Sequence, residues 1–200
     1  MHQFPKDIGW IEVICGPMFS GKTEELIRRL KRAVLGKQKV QVFKPRIDDR
    51  YDEAQVVSHS RDRVVSTPIV RAEEIFYTLE ADTQVVGIDE VQFFGPEILT
   101  VCEALANKGI RVICAGLDQD YQGKPFEPMP QLMAVAEYVT KELSICVVCG
   151  NPAHRSQRVA QNGDRVMVGA SDAYEARCRK CHTPVPAEAT PPQTLDLFED

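Results

Sequence analysis

The chain has 200 residues and no apolar run approaching the ~18 that suggest a membrane span. Its first residues, Met1-His2-Gln3-Phe4-Pro5-Lys6-Asp7, lack the apolar h-region of a signal peptide. A soluble, cytoplasmic protein is expected, with no membrane partner. Positive charge is not in surplus either. The net charge is −5, which disfavours sequence-independent binding to a polyanion, so no nucleic-acid partner is expected. Internal repeats and long low-complexity segments are absent. A hydrophobic fraction of 44% excludes wholesale disorder, and 12 Gly with 13 Pro excludes collagen-like repetition. Such a chain buries a core without needing disulfides.

Cysteine is present in an odd number, seven, and is unevenly placed. Cys15, Cys102 and Cys114 stand singly among apolar neighbours. Cys146, Cys149, Cys178 and Cys181 form two C-x-x-C pairs. In a reducing compartment, paired thiols read as a metal site before they read as disulfides.

Up to about residue 140, strand-like runs alternate with helical ones. Strands are predicted at Trp10–Cys15, Val40–Phe43, Val85–Asp89 and Ile110–Ala115. Helices are predicted at Thr23–Leu35, Arg71–Leu79 and Pro96–Asn107, the first stopped by Gly36. Residues 45–63 read as a charged, irregular surface loop. This order, with nearly continuous apolar strands, predicts an α/β fold: a parallel sheet with helices on both faces. The pattern changes near Lys141. The expected organisation is a nucleotide-binding domain over 1–140, a metal-binding domain over 141–182 and a disordered, Pro-rich acidic tail over 183–200.

Gly16-Pro17-Met18-Phe19-Ser20-Gly21-Lys22-Thr23 fits the phosphate-loop pattern G-x-x-x-x-G-K-[ST], between a predicted strand and a predicted helix. Backbone N–H groups and the positive helix end cradle phosphates. Lys22 would neutralise β/γ-phosphates, and the Thr23 hydroxyl would ligate Mg²⁺ carried with ATP. Such a loop needs a carboxylate from a neighbouring strand, and Asp89 fits that metal role. Glu90 lies one residue further on, where loops of open α/β sheets face the ligand. There it can accept a proton from an attacking hydroxyl. Of Phe93 and Phe94, one is expected in the core and the other against a planar base. The cysteine pairs, 28 residues apart, can complete a tetrahedral S₄ site. Structural Zn²⁺ suits it best, and an S₄ iron site is the chemical alternative. His182, beside Cys181, reads as a bystander.

Together these pieces resemble the cellular-type (type II) thymidine kinases over about residues 8–182. The resemblance rests on the phosphate loop with Glu24-Glu25-Leu26, on Asp89-Glu90-Val91-Gln92-Phe93-Phe94 and on Gly116-Leu117-Asp118 followed by Lys124-Pro125-Phe126. The cysteine pairs flanking Val168-Gly169-Ala170 and Tyr174 complete it. It implies a P-loop fold with a small zinc-bearing, ribbon-like domain carrying a lasso loop. It also implies ATP-dependent phosphorylation of thymidine, and of deoxyuridine, at the 5′-hydroxyl in nucleoside salvage. Glu90 matches the family's general base. ATP-binding positions would be Gly16 to Thr23, Asp89, Glu90, Val91, Gln92 and Arg61. Met18, Phe93, Leu117, Tyr121, Phe126, Ser156 and Tyr174 match the nucleoside pocket. Backbone groups at Met167, Val168 and Gly169 would bond the pyrimidine. A homotetramer inhibited by thymidine triphosphate is the implied assembly. In Ser58-His59-Ser60-Arg61 this chain has Ser60 where the family usually has Asp, and Tyr121 stands where Phe is usual.

Three other enzymes fit less well. Nucleoside monophosphate kinases carry their zinc lid mid-chain, whereas this module is C-terminal. A GTPase lacks support because Asn107-Lys108-Gly109-Ile110 has no Asp of the N-K-x-D motif. A nucleic-acid-dependent ATPase would use the basic residues Arg155, Arg158, Arg165, Arg177, Arg179 and Lys180, which read better as a solvated or inter-subunit face.

Overall fold

The computed structural model describes residues 8–46, 55–57, 63–159 and 173–184. Six parallel strands form the central sheet: β1 (Trp10–Cys15), β2 (Val40–Pro45), β5 (Thr67–Ile69), β6 (Val85–Ile88), β7 (Arg111–Gly116) and β8 (Tyr138–Lys141). Their spatial order is β5-β2-β6-β7-β1-β8. Between them run α1 (Lys22–Leu35), a β3–β4 hairpin (Gln55–Val57 with Arg63–Val65), α2 (Glu74–Thr78), α3 (Glu97–Asn107) and α4 (Met129–Val135). The α/β fold with helices on both faces is thus present.

Strand alternation divides the core. Ile11, Val13 and Cys15 of β1, with Val112 and Cys114 of β7, face α3 and α4. Ile14, Ile113 and Ala115 face the other way, onto Leu26, Ile27 and Leu30 of α1. Parallel strands buried on both faces need apolar side chains at nearly every position, which explains the uninterrupted runs.

Three departures from the sequence reading have local causes. Residues 45–63 are not wholly irregular, since Gln55–Val57 pairs with Arg63–Val65. Both strands are rich in valine, a strand former. The helix expected from Arg71 begins only at Glu74. Glu74 Oε1 accepts the N–H groups of Val70 and Arg71 at 3.1 and 2.8 Å, which holds the preceding residues in a turn. Strands β5 and β8 and helix α4, three, four and seven residues long, are not among the predicted elements. All three are too short to show a period. No helix among the described residues is long and apolar enough to cross a membrane.

One polar residue interrupts β1. Glu12, 3% exposed, accepts bonds from Arg111 (2.6 Å), Arg29 (2.7 Å) and Trp10 Nε1 (2.7 Å). Burial alone would raise its carboxyl, but the Arg111 and Arg29 guanidiniums and the indole N–H hold it below the usual range. Its contribution to stability is present above the unfolded glutamate's pKa and is lost as pH falls through the lowered folded value. Glu12→Gln removes the shared counter-charge of two largely covered cations, of which Arg29 retains Glu25 at 2.8 Å. It is expected to cost about 3 kcal/mol of unfolding free energy at pH 7 and less at pH 4, as urea titration would measure.

After β8 the chain forms two small antiparallel pairs: β9 (Ser144–Ile145) with β10 (Pro152–Ala153), and β11 (Arg155–Arg158) with β12 (Tyr174–Arg177). This segment packs back on the sheet's C-terminal end. Glu142 N–H donates to Cys15 O (2.8 Å), and Met18 N–H donates to Ser156 Oγ (3.0 Å).

Candidate active site

Strand β1 delivers the chain into the phosphate-loop segment, and α1 opens at Lys22. The turn needs glycine where the chain crowds. Gly16 has φ +145°, and a Cβ there would lie 2.2 Å from the Glu142 carbonyl oxygen. Gly21 is left-handed (φ 85°) and no side chain caps α1. The first N–H groups of the helix therefore lack an internal side-chain acceptor, a ready anion seat. Lys22 is buried, and its Nζ donates to Pro17 O at 2.6 Å. Burial pulls its pKa down, opposed by the charges of Glu90, Asp89 and Asp118. An ammonium has three donors, so one bond to the loop leaves capacity for phosphate oxygens.

The acidic pair leaves the end of β6. Thr23 Oγ1 donates to Asp89 Oδ2 at 3.4 Å across 66 residues of sequence. Burial, then the neighbouring Glu90 charge, pushes Asp89 up to about 7. A buried carboxylate so placed beside a hydroxyl suits a hard divalent cation, and the pair fits Mg²⁺ by donor type. Glu90 has a left-handed backbone (φ 50°, ψ 39°), uncommon for a residue with a Cβ. Its N–H donates to Asp89 Oδ1 at 3.0 Å. Its carboxylate Oε2 accepts from Gln92 Nε2 at 2.5 Å. Strain of this kind persists where surrounding bonds over-determine it.

The residues matched to a nucleoside pocket meet in part. Phe93 and Phe126 stand edge to face with ring centroids 6.0 Å apart, while Phe94 is buried in the core. Met18 is bonded to Ser156, and the Leu117 N–H donates to Gln92 Oε1 at 3.0 Å. Tyr121 lies under Arg158, whose guanidinium carbon is 5.3 Å from the ring centroid. Tyr174 pairs in register with Arg158. Arg61, Met167, Val168 and Gly169 lie outside the described residues.

Two residues named in the sequence make contacts that the sequence reading did not assign. Asp118 is buried and bonded to Lys141 Nζ at 2.6 Å. Its signal was an acid just past an apolar strand, the same signal that revealed Asp89. Arg158 was grouped with an exposed basic face but is 4% exposed. Its stack on Tyr121 explains the burial, since a guanidinium covers an aromatic face well.

The four paired cysteines converge. Their sulfurs all lie within 4.8 Å of one another, with Cys149 3.5 Å from both Cys178 and Cys181. A tetrahedron with Zn–S bonds of about 2.3 Å has edges of about 3.8 Å, so the set fits a metal ion of that size. Burial would raise Cys146, but N–H groups of Cys178, Val148 and Cys149 outweigh it and bring the thiol down to about 6. Cys181, crowded first by Cys149, is pushed up to about 12. Four thiolates need a cation at their centre. His182 Nε2 lies 2.9 Å from Tyr121 O and is engaged away from the quartet.

A family model described as thymidine kinase matches residues 9–182. The thymidine kinase of Rhodothermus sp. is 60% identical over 177 residues, 88% of this chain and 83% of that protein. The thymidine kinase of Bdellovibrio bacteriovorus is 60% identical over 176 residues, 88% of this chain and 86% of that protein. The folded loop, the acidic pair and the cysteine quartet all lie within the matched region. The chain belongs to the thymidine kinase family, enzymes that phosphorylate thymidine.

Proposed function

We propose that the chain transfers the γ-phosphoryl group of ATP to the 5′-hydroxyl of thymidine, and of deoxyuridine, in pyrimidine deoxynucleoside salvage. The observation that carries this reading is the 3.4 Å approach of Thr23 to Asp89, which brings the phosphate loop and the acidic pair to one place. Lys22 and the loop N–H groups bind the triphosphate, beside Arg61 and the segment Asp89 to Val91. Thr23 and Asp89 would hold Mg²⁺, which when bound neutralises charge on the β- and γ-oxygens. Glu90 orients the 5′-hydroxyl and takes its proton on the carboxylate. The bond from the 5′-oxygen to the γ-phosphorus forms as the bond to the bridging β,γ-oxygen breaks, and ADP leaves.

Phe93 and Phe126 supply an aromatic corner for the base, with Met18, Leu117, Tyr121, Ser156 and Tyr174 around it. Backbone groups at Met167, Val168 and Gly169 read the thymine edge. A mismatched edge would leave buried polar groups unpaired, which is how such a site rejects cytosine. The cysteine quartet would hold Zn²⁺ away from the chemistry and brace β11 and β12. The same reading takes in a cytoplasmic homotetramer with thymidine triphosphate as feedback inhibitor.

The test is ADP release with Mg·ATP and a panel of thymidine, deoxyuridine, deoxycytidine, thymidine monophosphate and single-stranded DNA. Turnover is expected with the first two. Glu90→Gln should lower kcat by on the order of 10²-fold and leave the thymidine KM within a few-fold. Turnover of the monophosphate, or hydrolysis driven by DNA, would overturn the reading.

A further inference from the structure

We propose that Gln92 is a positioning residue of the reaction: its side-chain amide aims the Glu90 carboxylate and fixes it to the wall formed at Leu117. This rests on the reading of Glu90 as the base. Gln92 belongs to the 3-10 turn Val91–Phe93 and is 3% exposed. Its Nε2 donates to Glu90 Oε2 at 2.5 Å, and its Oε1 accepts the Leu117 N–H at 3.0 Å. An amide has one donor end and one acceptor end. The Leu117 N–H can only donate, so it claims the oxygen. The NH₂ group is thereby turned onto Glu90, and a flip would strand a buried N–H against it.

Gly116 confirms how closely the amide is seated. A Cβ at that position would lie 2.5 Å from Gln92 Oε1, against the end of β7. Glu90 is therefore held at both ends of its side chain. Asp89 Oδ1 fixes its left-handed backbone, and Gln92 fixes its carboxylate. Leu117 belongs to the proposed nucleoside pocket, so one glutamine sets the base against the wall that the nucleoside would touch. A displacement of about 1 Å in such a group can cost on the order of 10²-fold in rate.

The experiment is a double-mutant cycle on the full chain, with steady-state kinetics and thermal midpoints for each protein. Gln92→Met keeps the volume and removes both polar ends. It is expected to lower kcat by ~10–100-fold while KM for ATP and for thymidine stays within ~3-fold. Gln92→Glu keeps an acceptor for Leu117 but sets a carboxylate against Glu90, and its kcat should fall at least as far. In the Glu90→Gln background there is no base to aim, so Gln92→Met should cost less than ~2-fold more. A Gln92 that contacted phosphate would instead raise the KM for ATP. Multiplying effects in the double mutant, or wild-type kcat in Gln92→Glu, would overturn the positioning role and leave Glu90 as base. Wild-type kcat in Glu90→Gln alone would overturn the base itself.

Discussion

Asp89→Asn is expected to give a protein that turns over far more slowly yet melts later than the parent when freed of divalent ions. The carboxylate is 7% exposed and sits beside a second acid, Glu90. Its neighbours in the fold offset only part of the cost of that burial. The Glu90 N–H and the Thr23 hydroxyl supply dipoles, and the Lys22 ammonium is bonded to Pro17. An asparagine oxygen can still accept the Glu90 N–H, so the substitution removes a buried charge without orphaning its donor. A gain of roughly 1–2 kcal/mol in EDTA is expected, well short of the full charge-burial cost because the Thr23 contact weakens. Loss of the proposed cation seat should lower kcat by on the order of 10³-fold, as several kcal/mol of charge stabilisation disappear. Calorimetry in EDTA and in Mg·ATP reads both effects. A destabilised, fully active variant would remove Asp89 from the cation site.

The second large effect is expected from Cys178→Ser. Among the described residues, the small sheets β9 to β12 have almost no apolar core of their own. Their buried cluster is Cys146, Ala153, Ala176 and Cys178, with Cys181 packed against it. A segment that buries little beyond sulfur and methyl groups would draw its stability from a metal held by the quartet, and apparent binding energies for structural Zn²⁺ run to about 10 kcal/mol or more. The substitution is expected to take zinc from one per chain to none and to lower the melting temperature by more than ~10 °C. Ser156 and Tyr174 ride on β11 and β12, so the thymidine KM should rise at least ~10-fold. Atomic absorption with calorimetry measures the first two. Retained zinc with parental kinetics would end the bracing role.

Much of the sheet was legible because a strand buried on two faces leaves a nearly unbroken apolar run. Trp10–Cys15, Val85–Ile88 and Arg111–Gly116 all carry that mark. The proposed phosphate loop stands out for another reason, since its glycines and lysine are those that a phosphate-binding turn requires. Strand β8 was not, because an edge strand with one exposed side has no continuous run: Tyr138-Val139-Thr140-Lys141 alternates between half-buried and exposed. The pairings that organise the site were invisible for a third reason. Gln92 to Leu117, Met18 to Ser156 and Asp118 to Lys141 depend on strand order, which no local pattern encodes. In the sequence Gln92 reads as one more residue beside the phosphates; in the fold β7 brings Leu117 within reach of its amide.

That strand order also acts as a ruler. Strand β7 lies between β1, which carries the proposed phosphate loop, and β6, which carries the two acids. Loop and acids therefore spring from strands two spacings apart, ~9.6 Å, a distance set by backbone hydrogen bonds rather than by side chains. A triphosphate laid over the end of β7 would meet a calibrated gap. The core residues beneath are consequently free to drift in size, trading stability alone, while the span between Lys22 and Glu90 stays in register.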